Sequence, residues 1–285
     1  MSYRAMNTRP REQSLTLIAI ALTFGSGAAD VASFTRLGNV FTSVMTGNIV
    51  LWGLAAASRS LTLFSHTAVA IAGYIVGVAG GTWVAHGAKE EASSSQEGVL
   101  PAHVIWVLLA ELTLLAGFAV GWEVTGGRPS GWAQFGLLTT LAAAMGVQSS
   151  AVRDMGLTEV STTYLTGTLT GLVSSLVSPG QDTPHGIRRF GVLIGLAAGA
   201  SLCGLFVATV VRAVPVLPLA ALLTTLVLAT APGSRRWAQR PRLRRGKELE
   251  FACPAAILNF RKAGHKRLHE PGGISNADSS GRVIA

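Results

Sequence analysis

Along the chain, apolar residues gather into eight long blocks: Leu15–Phe34, Val40–Ala57, Thr62–Ala85, Val104–Trp122, Trp132–Val152, Val160–Val177, Ile187–Val211 and Val214–Ala231. Runs of about 18 or more apolar residues fit the hydrocarbon core of a bilayer as α-helices. Short polar links separate the blocks. The longest, His86–Ala102 (HGAKEEASSSQEGVLPA), has the Ser, Glu and Gly content of a solvated loop. Pro215 and Pro218 fall near the start of the last block, where a helix tolerates proline best. The pattern predicts an all-α polytopic membrane protein. It ends after Pro232, and residues 232–285 are expected to be largely disordered, with one short, weakly amphipathic helix from Pro254.

Composition agrees. Of 285 residues, 49% are hydrophobic and 13% charged, with a mean hydropathy of +0.45, which excludes an ordinary soluble domain. The net charge of +9 is concentrated in the tail, where residues 232–285 hold 12 Lys+Arg against 4 Asp+Glu. Such a tail suits nucleic acid or anionic lipid headgroups. The positive-inside rule gives a simpler reading, a cytoplasmic tail with no nucleic-acid partner. Residues 1–14 carry Arg4, Arg9 and Arg11 and are read as a second cytoplasmic segment. The run Leu15–Phe24 followed by GSGAA resembles a cleavable signal, but it belongs to the repeat described next and is read as an uncleaved first helix. The two cysteines, Cys203 and Cys253, form neither a disulfide framework nor a metal site.

Polar residues interrupt the blocks in two corresponding places. Gly25–Ala57 contains Asp30 and then Thr46-Gly47-Asn48; Met145–Ser174 contains Gln148 and then Thr166-Gly167-Thr168. An offset of 118 places Gly73, Gly77 and Gly81 on Gly191, Gly195 and Gly199, Asp30 on Gln148, and Leu37-Gly38 on Met155-Gly156; the Thr-Gly pairs need 120. Glycine at every fourth position gives one small helical face, which lets backbones approach closely. A duplicated unit follows, with a membrane domain at 15–231, repeat one at about 15–122 and repeat two at about 132–231.

Basic termini on one side require an even number of spans. Two arrangements fit: eight spans in parallel repeats, or six spans with Val40–Ala57 and Val160–Val177 as short broken or re-entrant helices in an inverted repeat. Loop charges divide equally between them. The six-span form is preferred because these two blocks reach only about 27 Å as helices. Each also carries a helix-weakening Thr-Gly-polar knot.

The candidate chemistry lies in the polar interruptions. Asp30 reads as a proton- or cation-coupling carboxylate, or as an acid capping a turn. Glu111, midway along its block, must be protonated, paired or wet. Arg36, Arg153 and Arg212 are its available cations, and an Asp30–Arg153 pair across the repeats is a specific expectation. Thr46, Gly47, Asn48, Gln148, Thr166, Gly167 and Thr168 offer groups able to replace a solute's hydration shell, or simply to pack helices. His265 and His269 make a weak metal pair. Ser26 lacks a nucleophile elbow, and no phosphate loop or HExxH motif occurs. The expected function is therefore transport of a small solute or ion, with no enzyme activity, cofactor or metal. The alternative is a non-transporting scaffold or accessory subunit, oligomeric or partnered through its glycine faces.

The stretches GAADVASFTRLGNVFTSVMTGNIV and AMGVQSSAVRDMG…TTYLTGTLTGL resemble the two signature regions of the YoaK-type bacterial membrane proteins, a family defined by a domain of unknown function. The resemblance covers about Leu15 to Ala231 and implies an integral inner-membrane protein. It supplies no substrate, activity or cofactor.

Overall fold

Each apolar block forms a helix. The structure, a computed structural model, describes residues 9–91, 99–155, 165–177 and 183–230. The helices are α1 (Arg9–Arg36), α2 (Met45–Ala57), α3 (Leu61–Glu91), α4 (Ala102–Val124), α5 (Gly131–Asp154), α6 (Leu165–Val177), α7 (Thr183–Thr209) and α8 (Val216–Thr230). A single 3-10 turn, Val211–Ala213, precedes α8. Among the described residues there is no strand. The basic tail, with His265, His269 and Cys253, and the core of the 86–102 loop lie outside the described residues.

Among the described residues, six helical segments are long and apolar enough to cross a membrane: α1, α3, α4, α5, α7, and α8 taken with the turn before it (Val211–Thr230). α2 and α6, at 13 residues each, reach only about 20 Å. The second block was expected to be helical from Val40, but α2 starts at Met45 because residues 37–44 form a loop bonded to α1.

Contacts between helices fix their directions. Gly73 and Gly77 of α3 meet Thr139 and Ala143 of α5, so the numbering rises together and the pair is parallel. Gly195 and Gly199 of α7 meet Ile20 and Phe24 of α1, again in parallel. In contrast, Ser26 of α1 bonds to Gln148 of α5, and Gln134 of α5 donates to the carbonyl of Arg36, so α1 and α5 are antiparallel. α4 is also antiparallel to α5, through Gly121 beside Leu137 and Glu111 bonded to Gln148. It follows that α1 and α3 run in opposite directions, so the intervening α2 returns to the end at which α1 leaves. α6 does the same between α5 and α7 at the opposite end. Of the two arrangements the sequence allowed, these directions match six long helices with two short ones.

α1 and α5 are the most enclosed of the six spans, and α3 and α7 the least. The sequence reflects this. The inner helices bury Ser26, Ser33, Gln148 and Ser150, whereas the outer ones expose Ile75, Val76, Trp83, Ile194 and Leu205, as a lipid-facing surface requires.

Three helix pairs correspond when α1–α4 are exchanged for α5–α8, although α3 also packs on α4 without matching packing of α7 on α8 among the described residues. α3 on α5 matches α7 on α1, α4 on α5 matches α8 on α1, and α2 on α3 matches α6 on α7. The register of the match differs from the expected offset. A Cβ added at Gly73 would lie 2.9 Å from the Thr139 carbonyl oxygen, and one at Gly195 would lie 3.0 Å from that of Ile20. Gly77 likewise abuts the Ala143 carbonyl, as Gly199 abuts that of Phe24. Gly146 faces Tyr74 and Val78, as Gly27 faces Leu196 and Ala200. These pairs align with offsets of 122 for α3 onto α7 and 119 for α1 onto α5, not a common 118. A glycine at every fourth residue superposes on itself after a slide of one turn, so the sequence pattern alone left the register ambiguous by four. In the contact register, Gln148 corresponds to Ala29, and Asp30 to Ser149.

Candidate functional site

α1 turns a polar stripe inward. Thr23, Ser26, Asp30 and Ser33 are all buried, and spacings of three and four residues place them on one helical face. The stripe has two ends with different chemistry.

Near the end of α1, Asp30 accepts four hydrogen bonds. Its Oδ1 takes the backbone N–H groups of Thr42 and Ser43, each at 2.8 Å, and the Thr42 hydroxyl at 3.2 Å. Its Oδ2 takes the Ser43 hydroxyl at 2.5 Å. Asp30 lies six residues before the last residue of α1, about 9 Å of helix, so the loop folds back into the bundle before α2 starts. Gly38 (φ 108°) and Asn39 (φ 59°) make the reversal. The Ser33 hydroxyl donates to the Val40 carbonyl at 2.8 Å. Asn48 holds Phe41 from both sides, accepting its N–H at 2.9 Å and donating to its carbonyl at 2.6 Å. The His66 ring lies against Gly38 and stacks on Phe135 at 4.4 Å. The polar residues at this end close the turn.

Midway along the bundle the arrangement is less complete. Glu111 of α4 is fully buried. Its Oε1 accepts the Gln148 amide N–H at 2.9 Å, and the Gln148 carbonyl oxygen accepts the Ser26 hydroxyl at 2.7 Å. Three helices are thus bridged by a carboxyl, an amide and a hydroxyl. Glu111 Oε2 is buried with no hydrogen-bond partner among the described residues.

Two expected ion pairs are absent. Arg153 donates to the Thr82 hydroxyl at 3.3 Å instead of pairing with Asp30. Antiparallel packing separates them, since Asp30 is near the end of α1 that meets the start of α5, and Arg153 is in the last turn of α5. Glu111 is bonded to Gln148 and not to a cation. Arg36 donates to the Val207 carbonyl at 3.3 Å, and Arg212 reaches towards Gly126 at the end of α4. All three arginines sit at helix ends, far along the spans from Glu111.

The Thr-Gly knots are placed apart. α2 packs on α3 and α6 on α7, at opposite ends of the bundle. Thr46, Thr166 and Gly167 are exposed, Gly47 is half-buried, and Asn48 and Thr168 are buried. The structure joins Glu111 with Gln148 but sets Asp30 and Asn48 in a separate network. Sequence reading set Ser26 aside after weighing it only as a nucleophile, and passed over Thr42, Ser43 and His66. Ser26 was detectable in principle, because it stands one turn before Asp30 on the same face. The loop partners Thr42 and Ser43 were not, because nothing local shows that the chain folds back.

Six apolar spans, of which α1 and α5 are the most enclosed, define a multi-pass helical membrane protein. The sequence pattern of one protein family, described as a protein of unknown function (DUF1275), matches residues 18–229. The chain belongs to this family. It is also similar to the UPF0700 transmembrane protein YoaK of Bacillus subtilis (strain 168), 30% identical over 161 residues that cover 56% of this chain and 66% of that protein. No solved structure matches.

Proposed function

We propose that the chain is a small-solute or ion permease built from two inverted copies of one unit, with its site where α1, α4 and α5 meet. The observation that carries this reading is Glu111, a fully buried carboxyl in the middle of a spanning helix with one oxygen unpartnered. Ionisable groups at such depth are costly and are kept where a pathway uses them. Gln148 and Ser26 connect it to the stripe on α1, which continues to Asp30 and the folded-back loop. Short helices entered from opposite ends, at corresponding places in two halves, also accompany transport sites.

On this reading the protein works without enzyme activity or cofactor in the bacterial cytoplasmic membrane, and the bilayer is its main partner. Lys89, Arg153, Arg188 and Arg189 share an end with the start of α1 and the end of α8, while Arg36, Arg59, Arg128 and Arg212 lie at the other. The basic tail then decides orientation, placing both termini in the cytoplasm next to anionic headgroups and away from nucleic acid. The scaffold alternative is weakened because Gly73, Gly77, Gly195 and Gly199 are covered by the chain's own helices. Flux assays on the full chain in liposomes, across ions and small solutes, test the proposal. Glu111→Gln should abolish the flux found in the parent protein. Flux unchanged by that substitution removes Glu111 from the pathway, and no flux of any solute rejects the transport reading.

A further inference from the structure

The Ser26–Gln148–Glu111 chain has a property that ordinary structural hydrogen bonds lack: its members have acceptors for two different proton arrangements. Ser26 Oγ lies 2.7 Å from the Gln148 amide oxygen and also 3.1 Å from the Leu22 carbonyl. A hydroxyl has one hydrogen to give, so it can serve either acceptor. The Gln148 amide, turned by half a revolution, exchanges its donor and acceptor ends at nearly the same positions.

We propose that Glu111 is an exchangeable proton-binding site whose occupancy is passed to α1 by rotation of the Gln148 amide. With the carboxyl ionised, Oε1 accepts from the amide N–H, and the amide oxygen accepts from Ser26. When a proton from water binds a Glu111 oxygen, an O–H bond forms and the carboxyl becomes a donor. The turned amide then presents its oxygen to that O–H and its N–H to Ser26 Oγ, and Ser26 gives its hydrogen to Leu22. Loss of the proton to water reverses each move, and no other bond is made or broken. Ser26 stands one turn from Asp30, so the change is delivered to the helix that holds the folded-back loop.

A proton suits this place better than a metal cation. Hard cations gather six or more oxygens, whereas the amide presents an N–H to Glu111 and one carboxyl oxygen is unengaged. No cluster of three or more His, Cys, Asp or Glu able to hold a metal occurs among the described residues. Charged neighbours are also distant along the helices packed against α4. α8 carries no titratable residue, and α5 carries only Arg153 and Asp154 in its last turn. On α3, His66 stacks on Phe135, Tyr74 bonds to Ser149, and His86, Lys89, Glu90 and Glu91 lie in the final turns. On α4 itself, His103 is in the first turn beside Asp154 and Glu123 is in the last.

The inference deepens the transport reading by naming the coupling ion, and its test needs no substrate. Infrared difference spectra of the full chain in liposomes, recorded as pH falls from about 9 to about 4, should show a protonated-carboxyl band. That band should shift to lower frequency in deuterium oxide and on carbon-13 labelling of glutamate. It should vanish in Glu111→Gln, persist in Asp30→Asn, and rise in frequency in Gln148→Leu, where its acceptor is gone. A glutamine carbonyl band should change at the same pH in the parent protein. Labelling of the parent protein assigns the band to a glutamate, and Gln148→Leu ties it to Glu111 even if Glu111→Gln fails to fold. Absence of a titrating glutamate band, or its survival in folded Glu111→Gln, overturns the proposal. A titrating band without flux in any assay removes only the transport reading. Flux lost in Glu111→Gln without a titrating band removes only the proton site.

Discussion

Asp30 and Ser43 are joined twice, the carboxylate accepting both the backbone N–H at 2.8 Å and the hydroxyl at 2.5 Å. This double bond holds the loop 37–44 inside the bundle. Asp30→Ala leaves two buried N–H groups without acceptors and should cost about 3 kcal/mol or more. Asp30→Asn keeps one acceptor oxygen and should cost roughly 1–2 kcal/mol. Denaturation in detergent measures both, and protease cleavage at residues 37–44 should rise in the same order.

The glycine seams make a matched set of substitutions. Gly77→Ala and Gly199→Ala each drive a methyl group into a backbone carbonyl of the facing helix. Each should destabilise the fold by about 1–3 kcal/mol, and by similar amounts because their surroundings correspond. Gly80 and Gly204 have open space where a Cβ would go, so Gly80→Ala and Gly204→Ala should stay within about 0.5 kcal/mol of the parent. Equal losses at all four positions would show that the seams do not hold the helices.

Much of this architecture was legible in the sequence. Eight apolar blocks became eight helices because hydrophobic length is a local property. Helix direction was not legible, because loop charges at the two ends balance and the glycine pattern has a four-residue period. At the site, Glu111 and Gln148 were conspicuous as polar residues in apolar surroundings. That they bond to each other depends on α4 and α5 running antiparallel, a relation between residues 37 positions apart. The expected cationic partner failed for a related reason: arginines sit at helix ends, and a carboxyl at mid-span is reached only by what faces it across the bundle.

Gly38 couples two strains that can be separated. Its φ of 108° disfavours any side chain, and a Cβ there would also overlap the His66 ring. Gly38→Ala should cost at least about 2 kcal/mol. In the double variant with His66→Ala the overlap is relieved while the backbone strain persists, so the loss should be smaller than the sum of the two single losses. Strict additivity in detergent unfolding would place the whole effect in the backbone.

Side-specific labelling checks the helix directions. In a background with Cys203 and Cys253 replaced, Ser93→Cys should react from the same side as the C-terminal tail. Arg59→Cys and Arg128→Cys should react from the opposite side. Reaction of Ser93→Cys from the side opposite the tail would contradict the antiparallel relation of α1 and α3.

The seams also impose an order of assembly. α3 closes on α5, and α1 closes on α7, so neither α1–α4 nor α5–α8 contains its own closest helix partner. During synthesis α1 precedes α7 and keeps Gly27 and the carbonyls of Ile20 and Phe24 without their partner while the five helices α2–α6 are made. A fragment ending in the α4–α5 turn would therefore be an unclosed half that pairs with a second half from another chain. Within one chain, α1 waits for α7, five helices later.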